Sequence, residues 1–119
     1  EPILVYLDKD QLLRVLNNLI KNAFESIDHE VTPQVSLSLK LEDAAALITI
    51  QDNGVGISEA VQQKIFSPYF TAKSSGTGLG LAMTKKIVEF WNGRIWFETS
   101  STTGTRFFIT LPIYKSLSS

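Results

Sequence analysis

One acidic residue followed by two glycines forms the stretch best suited to chemistry. A strand-like run from Leu47 ends in Asp52, and Gly54 and Gly56 come shortly after it. A short carboxylate at a strand end often bonds nearby backbone in an ordinary turn. The same carboxylate can accept a hydrogen bond from an amine, and glycines let a flat ligand approach the backbone. The pattern alone fits either a turn or a binding site for a flat ligand that carries an amine.

Two asparagines form the second candidate group. Asn18 and Asn22 are one helical turn apart in a helical run, so they share one face of the helix. That face lies away from the Leu/Ile stripe, so we expect both side chains to need no core partner and to be free to meet a ligand. Amide oxygens are hard ligands of the kind that Mg²⁺ prefers. A solvated polar face would give the same pattern.

The third candidate is a glycine-rich segment directly before a helix. Gly76-Thr77-Gly78-Leu79-Gly80-Leu81 precedes a helical run from Ala82 to Phe90. Free N–H groups and the positive dipole end make the start of a helix favourable for an anion. The glycine spacing is not that of a dinucleotide fingerprint, and the Gly-Lys-Ser/Thr of a P-loop is absent. A plain glycine turn is the alternative.

A stretch without period lies between these groups. It runs from Phe66 to Ser75 and contains Tyr69 and Phe70. Aromatic residues in a loop commonly anchor that loop to the core. A long anchored loop in a compact domain is also the usual form of an active-site lid.

Hydrophobic periodicity predicts the elements that must position these groups. In chain order they are a strand at 3–7, a helix from Gln11 to about Asp28, an antiparallel hairpin of Val35–Leu41 and Leu47–Gln51, a short helix from Ser58 to about Ile65, a helix at Ala82–Phe90, and strands at Arg94–Thr99 and Thr105–Leu111. The first helix should bury a stripe of Leu12, Leu16, Leu19, Ile20, Ala23 and Ile27. The first hairpin strand alternates apolar and polar residues, so we expect it to be half-buried. The tail at 114–119 is predicted to fray.

Composition limits the function classes. A chain of 119 residues is one domain, and its 44% apolar and 19% charged residues are ordinary globular values. A net charge of -1 gives no reason to expect a nucleic acid or an anionic membrane as a partner. The absence of cysteine excludes disulfides and thiolate chemistry and suits a reducing compartment. Because the chain begins almost inside a strand, we expect it to be a piece of a longer protein.

Taken together, these segments resemble the catalytic, ATP-binding domain of the two-component sensor histidine kinases, in the GHKL superfamily. In order, the matching segments are Asn18-Leu19-Ile20-Lys21-Asn22-Ala23 (asparagine box), Asp52-Asn53-Gly54-Val55-Gly56 (first glycine box), Ile65–Lys73 (phenylalanine box), Gly76–Ala82 (second glycine box), and Gly104–Phe107 with Leu111-Pro112. The resemblance covers nearly the whole chain. It implies one α+β catalytic domain over residues 1–119, a two-layer α/β sandwich of the Bergerat (GHKL ATP-binding) fold. The mixed sheet would have about five strands, with three helices on one face and ATP beneath a mobile lid.

The resemblance also implies which residues would bind the base. Asp52 would bind the adenine amine, partly through water, with Thr105 beside it. Gly54, Gly56 and Ile57 would line the adenine floor.

The phosphate end would be held by residues from the other boxes. Asn22 would ligate Mg²⁺, and Asn18 would lie near the phosphates. The loop that wraps the phosphates would consist of Gly76, Thr77, Gly78, Leu79, Gly80 and Leu81, with Lys73 near the terminal phosphate and with Phe66 and Phe70 seating the lid. Glu25, also at a nucleotide-binding position, stands where many of these kinases have a Lys-Tyr pair, which puts a basic phosphate contact from this helix in doubt.

The matched boxes do not include a phosphoacceptor. The only histidine, His29, follows the first helix and does not resemble the acceptor box of the family, so we interpret it as a surface residue. The resemblance therefore implies a histidine kinase catalytic domain that is inactive in autophosphorylation alone. It would give the γ-phosphoryl group of ATP to a histidine on an upstream dimerising hairpin, with a response regulator downstream.

The implied location is the cytoplasm, without direct membrane contact by this chain. Whether the parent protein is anchored in a membrane stays open. Three other functions also stay open. They are a degenerate module that binds nucleotide without transferring phosphate, a hydrolytic ATPase, and a serine-directed kinase of the anti-sigma type.

Overall fold

The computed structural model of the protein describes residues 9–42, 44–67 and 80–112. In chain order its elements are α1 (Lys9–Glu25), β1 (Val35–Glu42), β2 (Ala45–Asp52), α2 (Glu59–Gln62), α3 (Gly80–Phe90), β3 (Arg94–Ser100) and β4 (Gly104–Pro112). This order and these types agree with the sequence-based prediction for the described ranges. The predicted strand at 3–7 and the predicted tail at 114–119 lie outside them.

The described strands form one sheet in the order β1-β2-β4-β3. Each of the three pairings between these strands is antiparallel. A mixed sheet of about five strands needs a further strand, and the segment predicted to supply one lies outside the described residues. The two-layer α+β architecture is confirmed, with the helices packed against one face of the sheet.

The core lies between that face and the two longer helices. Ile48 faces Ile109 and Ile50 faces Phe107 across the central strand pair. Alternate residues of a strand point to one face, so both pairs lie on the side that the helices cover. The buried apolar cluster consists of Val15, Leu19, Ala23, Ile48, Ile50, Ile65, Val88, Trp91, Phe107, Ile109 and Leu111. Val15, which the predicted stripe of the first helix omitted, is among the least exposed of these side chains.

The end of α1 is fixed by its own polar residues. Ser26 lies just beyond the helix, where its N–H still donates to the Asn22 carbonyl at 3.1 Å. Its hydroxyl donates to the Ala23 carbonyl at 2.8 Å, which satisfies an acceptor that the helix end leaves open. The chain therefore leaves α1 in a defined direction, toward the loop that follows β2.

The prediction that β1 is half-buried was wrong. Leu37, Leu39 and Leu41 expose 48%, 54% and 56% of their surface. The alternation was read correctly as a strand, but β1 is the outer strand of the described sheet. Burial at an edge depends on what covers the strand, and α1 packs chiefly over β2, one strand further in.

The short helix after Ser58 also differs from the prediction. Ser58 occupies the N-cap position, but its side chain makes no capping hydrogen bond, and the helix ends at Gln62 rather than near Ile65. Turn bonds continue the chain, with the Lys64 N–H donating to the Val61 carbonyl at 2.9 Å. Ile65 nevertheless enters the core.

None of the helices in the described ranges is long and apolar enough to cross a membrane.

Candidate functional site

Asp52 is a buried carboxylate at the end of β2. It points to the same face as Ile50 and Ile48 and is only 5% exposed. Its Oδ1 accepts hydrogen bonds from the Gly54 N–H at 2.8 Å and from the Thr105 N–H at 3.2 Å. Two N–H donors, one just beyond β2 and one at the start of β4, hold Oδ1 of this carboxylate in place. Among the described residues nothing donates to Oδ2, which therefore can accept a hydrogen bond from a ligand.

The two glycines after Asp52 are required by packing within the protein. A Cβ on Gly54 would collide with the side chain of Ser26 and lie 2.7 Å from its carbonyl oxygen. The neighbouring Val55 N–H donates to that carbonyl at 3.0 Å, so the end of α1 is locked against this loop. Gly56 has φ 81° and would bring a Cβ within 2.7 Å of the Ser100 carbonyl oxygen. The expected reason, room for a flat ligand, is thus not needed to explain either glycine.

A second hydrogen-bond chain connects this loop to the other hairpin. The Ile57 N–H donates to the Thr99 hydroxyl oxygen at 2.8 Å. The hydroxyl oxygens of Thr99 and Thr105 are also 2.8 Å apart and hydrogen-bonded. Sequence reasoning included Thr105 and Ile57 but missed Thr99. Thr99 was missed because the register of the β3–β4 hairpin, rather than local sequence pattern, places it directly opposite Thr105.

Asn18 joins α1 to the start of α3. Its amide nitrogen donates to the Gly80 carbonyl at 3.0 Å, and it lies 3.4 Å from the Thr84 hydroxyl oxygen. The Thr84 hydroxyl, which is buried, donates to the same Gly80 carbonyl at 2.8 Å. The expectation that Asn18 has no partner was therefore wrong. Asn18 is itself partly buried and lies next to the buried stripe of α1, so the edge of that stripe meets the first turn of α3.

Asn22 and Glu25 lie further along α1. Asn22 is half-buried and Glu25 is exposed, and each takes part in an interaction within the protein. Among the described residues, no group of three or more His, Cys, Asp or Glu could hold a metal ion. A cation at this end would need most of its oxygen ligands from a phosphate ligand and water, and the Asn22 amide oxygen has the right chemistry to add one.

An open groove runs along the outer face of α1 beside Asn18. Its lining consists of Asp10, Leu13, Arg14, Asn17, Asn18 and Lys21. Arg14 and Lys21 are both exposed and bring two positive charges to this face, against one negative charge from Asp10. Neither residue was among the predicted site residues, where the basic phosphate contact was expected from Lys73.

Phe66 packs where three elements meet. Its ring centroid lies 6.2 Å from that of Phe97 on β3 and 6.4 Å from that of Phe107 on β4. The Lys85 ammonium nitrogen of α3 lies 5.4 Å from the ring centroid, in cation–π range. Phe66 is thus tied to the core at the point where the predicted lid begins.

The remaining predicted site residues divide into two groups. Gly80 and Leu81 form the first turn of α3, beside Asn18. The others lie outside the described residues: Phe70, Lys73, Gly76, Thr77, Gly78 and Leu79.

Comparison with known proteins gives a consistent result. Residues 7–115 match the family described as "Histidine kinase-, DNA gyrase B-, and HSP90-like ATPase". Sporulation kinase D of Bacillus subtilis is 40% identical over 116 residues, which are 98% of this chain and 22% of that protein. The signal transduction histidine-protein kinase AtoS of Escherichia coli is 38% identical over 106 residues, which are 89% of this chain and 17% of that protein. The chain therefore spans about a fifth of the length of these relatives.

A solved structure shows the same likeness in three dimensions. The catalytic domain of the histidine kinase ThkA, in a nucleotide-free form, superposes with a TM-score of 0.79 at 33% identity. The match covers 91% of this chain and 70% of that one. The fold of the described residues is that of an ATP-binding catalytic domain of this class.

Proposed function

The chain belongs to the family of histidine kinase-, DNA gyrase B- and HSP90-like ATPases, and on this premise we propose that it binds Mg-ATP and donates the γ-phosphoryl group to a histidine on a separate domain. The observation that carries the proposal is the fixed carboxylate of Asp52. An ATP site needs an acceptor for the adenine amine, and Oδ2 of Asp52 is an oriented acceptor in a buried position.

The phosphate end of the proposed site is the start of α3. Glycines before a helix expose N–H donors at its positive dipole end, which favours a phosphate. The bond from Asn18 to the Gly80 carbonyl sets the position of that helix start against α1. Arg14 and Lys21, on the same side of α1, supply positive charge that Glu25 does not. The proposed lid extends from Phe66 across the segment before α3, most of which lies outside the described residues.

We assign Mg²⁺ to Asn22. Its neutral amide oxygen can ligate the ion without repelling a triphosphate. When bound, the ion neutralises phosphate charge. The tasks of this chain are then to hold the base at Asp52 and to orient the phosphates at the start of α3.

The acceptor of the phosphoryl group would lie on another part of the parent protein. His29 is exposed in the loop after α1 and has no motif that marks it as an acceptor. In-line attack by an imidazole nitrogen on the γ-phosphorus forms the N–P bond as the bond to the ADP oxygen breaks, and it needs positioning more than a base. The partners we propose are a dimerising hairpin that carries this histidine and, after it, a response regulator. Such a chain would work in the cytoplasm.

Hydrolysis is the second candidate reaction. In the hydrolytic members that the sequence resembles, a glutamate one helical turn before the Mg²⁺ asparagine activates water, and the matching residue here is Asn18. An amide has no useful basicity. In addition, the amide group of Asn18 is engaged with Gly80 at 3.0 Å. These two facts favour transfer to a positioned histidine over transfer to water.

The base site is tested by the substitution Asp52→Asn. The new side chain must keep an oxygen toward the Gly54 and Thr105 N–H groups, so its NH₂ group replaces Oδ2 as a donor. With adenine, this NH₂ group would face the adenine amine, so two donors would meet. With guanine, the same NH₂ group could donate to the guanine carbonyl. We expect wild type to bind Mg-ATP clearly better than Mg-GTP. We expect the variant to lose about tenfold or more in ATP affinity without a matching loss for GTP.

The control for this experiment is Asn53→Ala, in the same loop. The Asn53 side chain accepts from the Gln34 N–H at 2.9 Å and donates to the Thr32 carbonyl at 3.0 Å, so it holds a different segment. Its loss should leave the ratio of ATP to GTP affinity unchanged. Isothermal titration calorimetry measures all the affinities. Equal binding of ATP and GTP by wild type contradicts the assignment of Asp52.

A further inference from the structure

The strongest unassigned feature is the hydrogen-bond chain that runs through Thr99. Its hydroxyl oxygen accepts from the Ile57 N–H at 2.8 Å and shares a second bond of 2.8 Å with the Thr105 hydroxyl. The Thr105 N–H in turn donates to Oδ1 of Asp52. Thr99 thus connects the loop that follows Asp52 to the residue that lies directly beside the Asp52 carboxylate.

The bond between the two hydroxyls has a preferred direction. Each hydroxyl has a single proton to donate. Thr99 already accepts from a backbone N–H, and a hydroxyl that accepts a hydrogen bond becomes a better donor because hydrogen bonds in a chain polarise one another. If Thr99 donates to Thr105, the Thr105 proton is left for a further acceptor. In either direction one of the two hydroxyl protons has no acceptor among the described residues, so the polarisation of Thr99 by the Ile57 N–H is what favours donation from Thr99 to Thr105.

We propose that Thr99 is a positioning residue that orients the Thr105 hydroxyl as a donor into the base site and thereby contributes to base specificity. This inference rests on the proposed ATP-binding function. The Thr105 hydroxyl, as a hydrogen-bond donor, would lie beside the Asp52 carboxylate, which is an acceptor. Adenine presents an amine donor and the N1 acceptor side by side, so it matches both groups, with N1 reached directly or through one water. Guanine presents a carbonyl acceptor and an N1–H donor at these positions, so it is mismatched at both.

The test compares three variants of the chain. Thr99→Val removes the hydroxyl but keeps the size and β-branching that suit β3. Thr99→Ser keeps the hydroxyl and should retain wild-type behaviour. Thr102→Val is the matched control, because its hydroxyl bonds to that of Ser100 at 2.9 Å in the exposed turn between β3 and β4.

The ligands are Mg-ATP and Mg-1-deaza-ATP, in which a C–H group replaces N1. We expect wild type, Thr99→Ser and Thr102→Val to bind ATP about tenfold more tightly than the deaza analogue. In Thr99→Val this ratio should fall to near one, because the Thr105 proton is no longer directed at N1. A general loss of stability would weaken both ligands equally and leave the ratio unchanged.

The possible results separate this inference from the proposed function. An unchanged ratio in Thr99→Val overturns the inference. If that variant does not unfold cooperatively, Thr99→Ala is measured in its place with the same expected fall in the ratio, and equal affinity of wild type for ATP and the deaza analogue also overturns the inference. If wild type binds neither nucleotide, the proposed function fails as well. If it binds ATP but does not discriminate at N1, only the role of Thr99 fails.

Discussion

At the scale of single residues, Asn18 shows how one side chain serves both fold and site. Its amide nitrogen bonds the Gly80 carbonyl, and its carbonyl oxygen lies 2.9 Å from the position that a Cβ on Gly80 would take. The glycine therefore lets Asn18 approach the start of α3 closely. The start of α3 is the proposed phosphate end. Moving the Asn18 side chain would therefore also change how the first turn of α3 is held against α1.

We expect Asn18→Ala to destabilise the nucleotide-free chain by about 1 kcal/mol, because one partly buried hydrogen bond is lost. The Gly80 carbonyl keeps its bond from the Thr84 hydroxyl, which limits the cost. The matched control is Asn17→Ala, at an exposed position of the same helix, which should change stability by less than about 0.5 kcal/mol. Urea unfolding of both variants measures the difference. Equal stability of the two would contradict the joining role of Asn18.

At the scale of elements, the loop from β2 to α2 is fixed from both sides. The end of α1 contacts it at Val55, and the last residues of β3 contact it at Gly56 and Ile57. Neither contact depends on a bound ligand. The loop is therefore formed before nucleotide binds, which reduces the ordering cost of binding.

We expect Gly56→Ala to lower the free energy of unfolding by more than about 1–2 kcal/mol. An alanine at φ 81° carries the penalty of the left-handed region, about that size, and its Cβ would also press on the Ser100 carbonyl. Val55→Ala, at a side chain that is 62% exposed, serves as the control and should change stability little. Thermal unfolding of both variants supplies the measurement. A Gly56→Ala chain as stable as Val55→Ala would show that the loop is not fixed as described.

Local pattern could predict the elements and part of the site. The alternation of apolar and polar residues in β2 predicted which face of the strand is buried and that Asp52 lies at its end, because alternation is a property of the strand itself. The role of Thr99 could not be predicted in this way, since it depends on the register of the hairpin that brings Thr99 opposite Thr105. The exposure of Leu39 was mispredicted because burial of an edge strand depends on its neighbours. The packing reason for Gly54 required knowing where α1 ends.

At the scale of the whole molecule, the described part of the chain connects the proposed base site at Asp52 to the start of α3, the proposed phosphate end. The shared core of sheet and helices holds Asp52, Thr105 and Asn18 on connected elements. His29 lies outside that arrangement, exposed after α1. This arrangement agrees with the proposal that the acceptor histidine lies on another domain.

The central claim is tested most directly by incubating the purified chain with γ-labelled Mg-ATP, alone and with the histidine hairpin of its parent protein. We predict acid-labile label on the hairpin, and neither label nor appreciable phosphate release from the chain alone. Rapid phosphate release that Asn18→Ala abolishes would contradict the account in favour of an ATPase, and acid-labile label on His29 would contradict the requirement for a second domain.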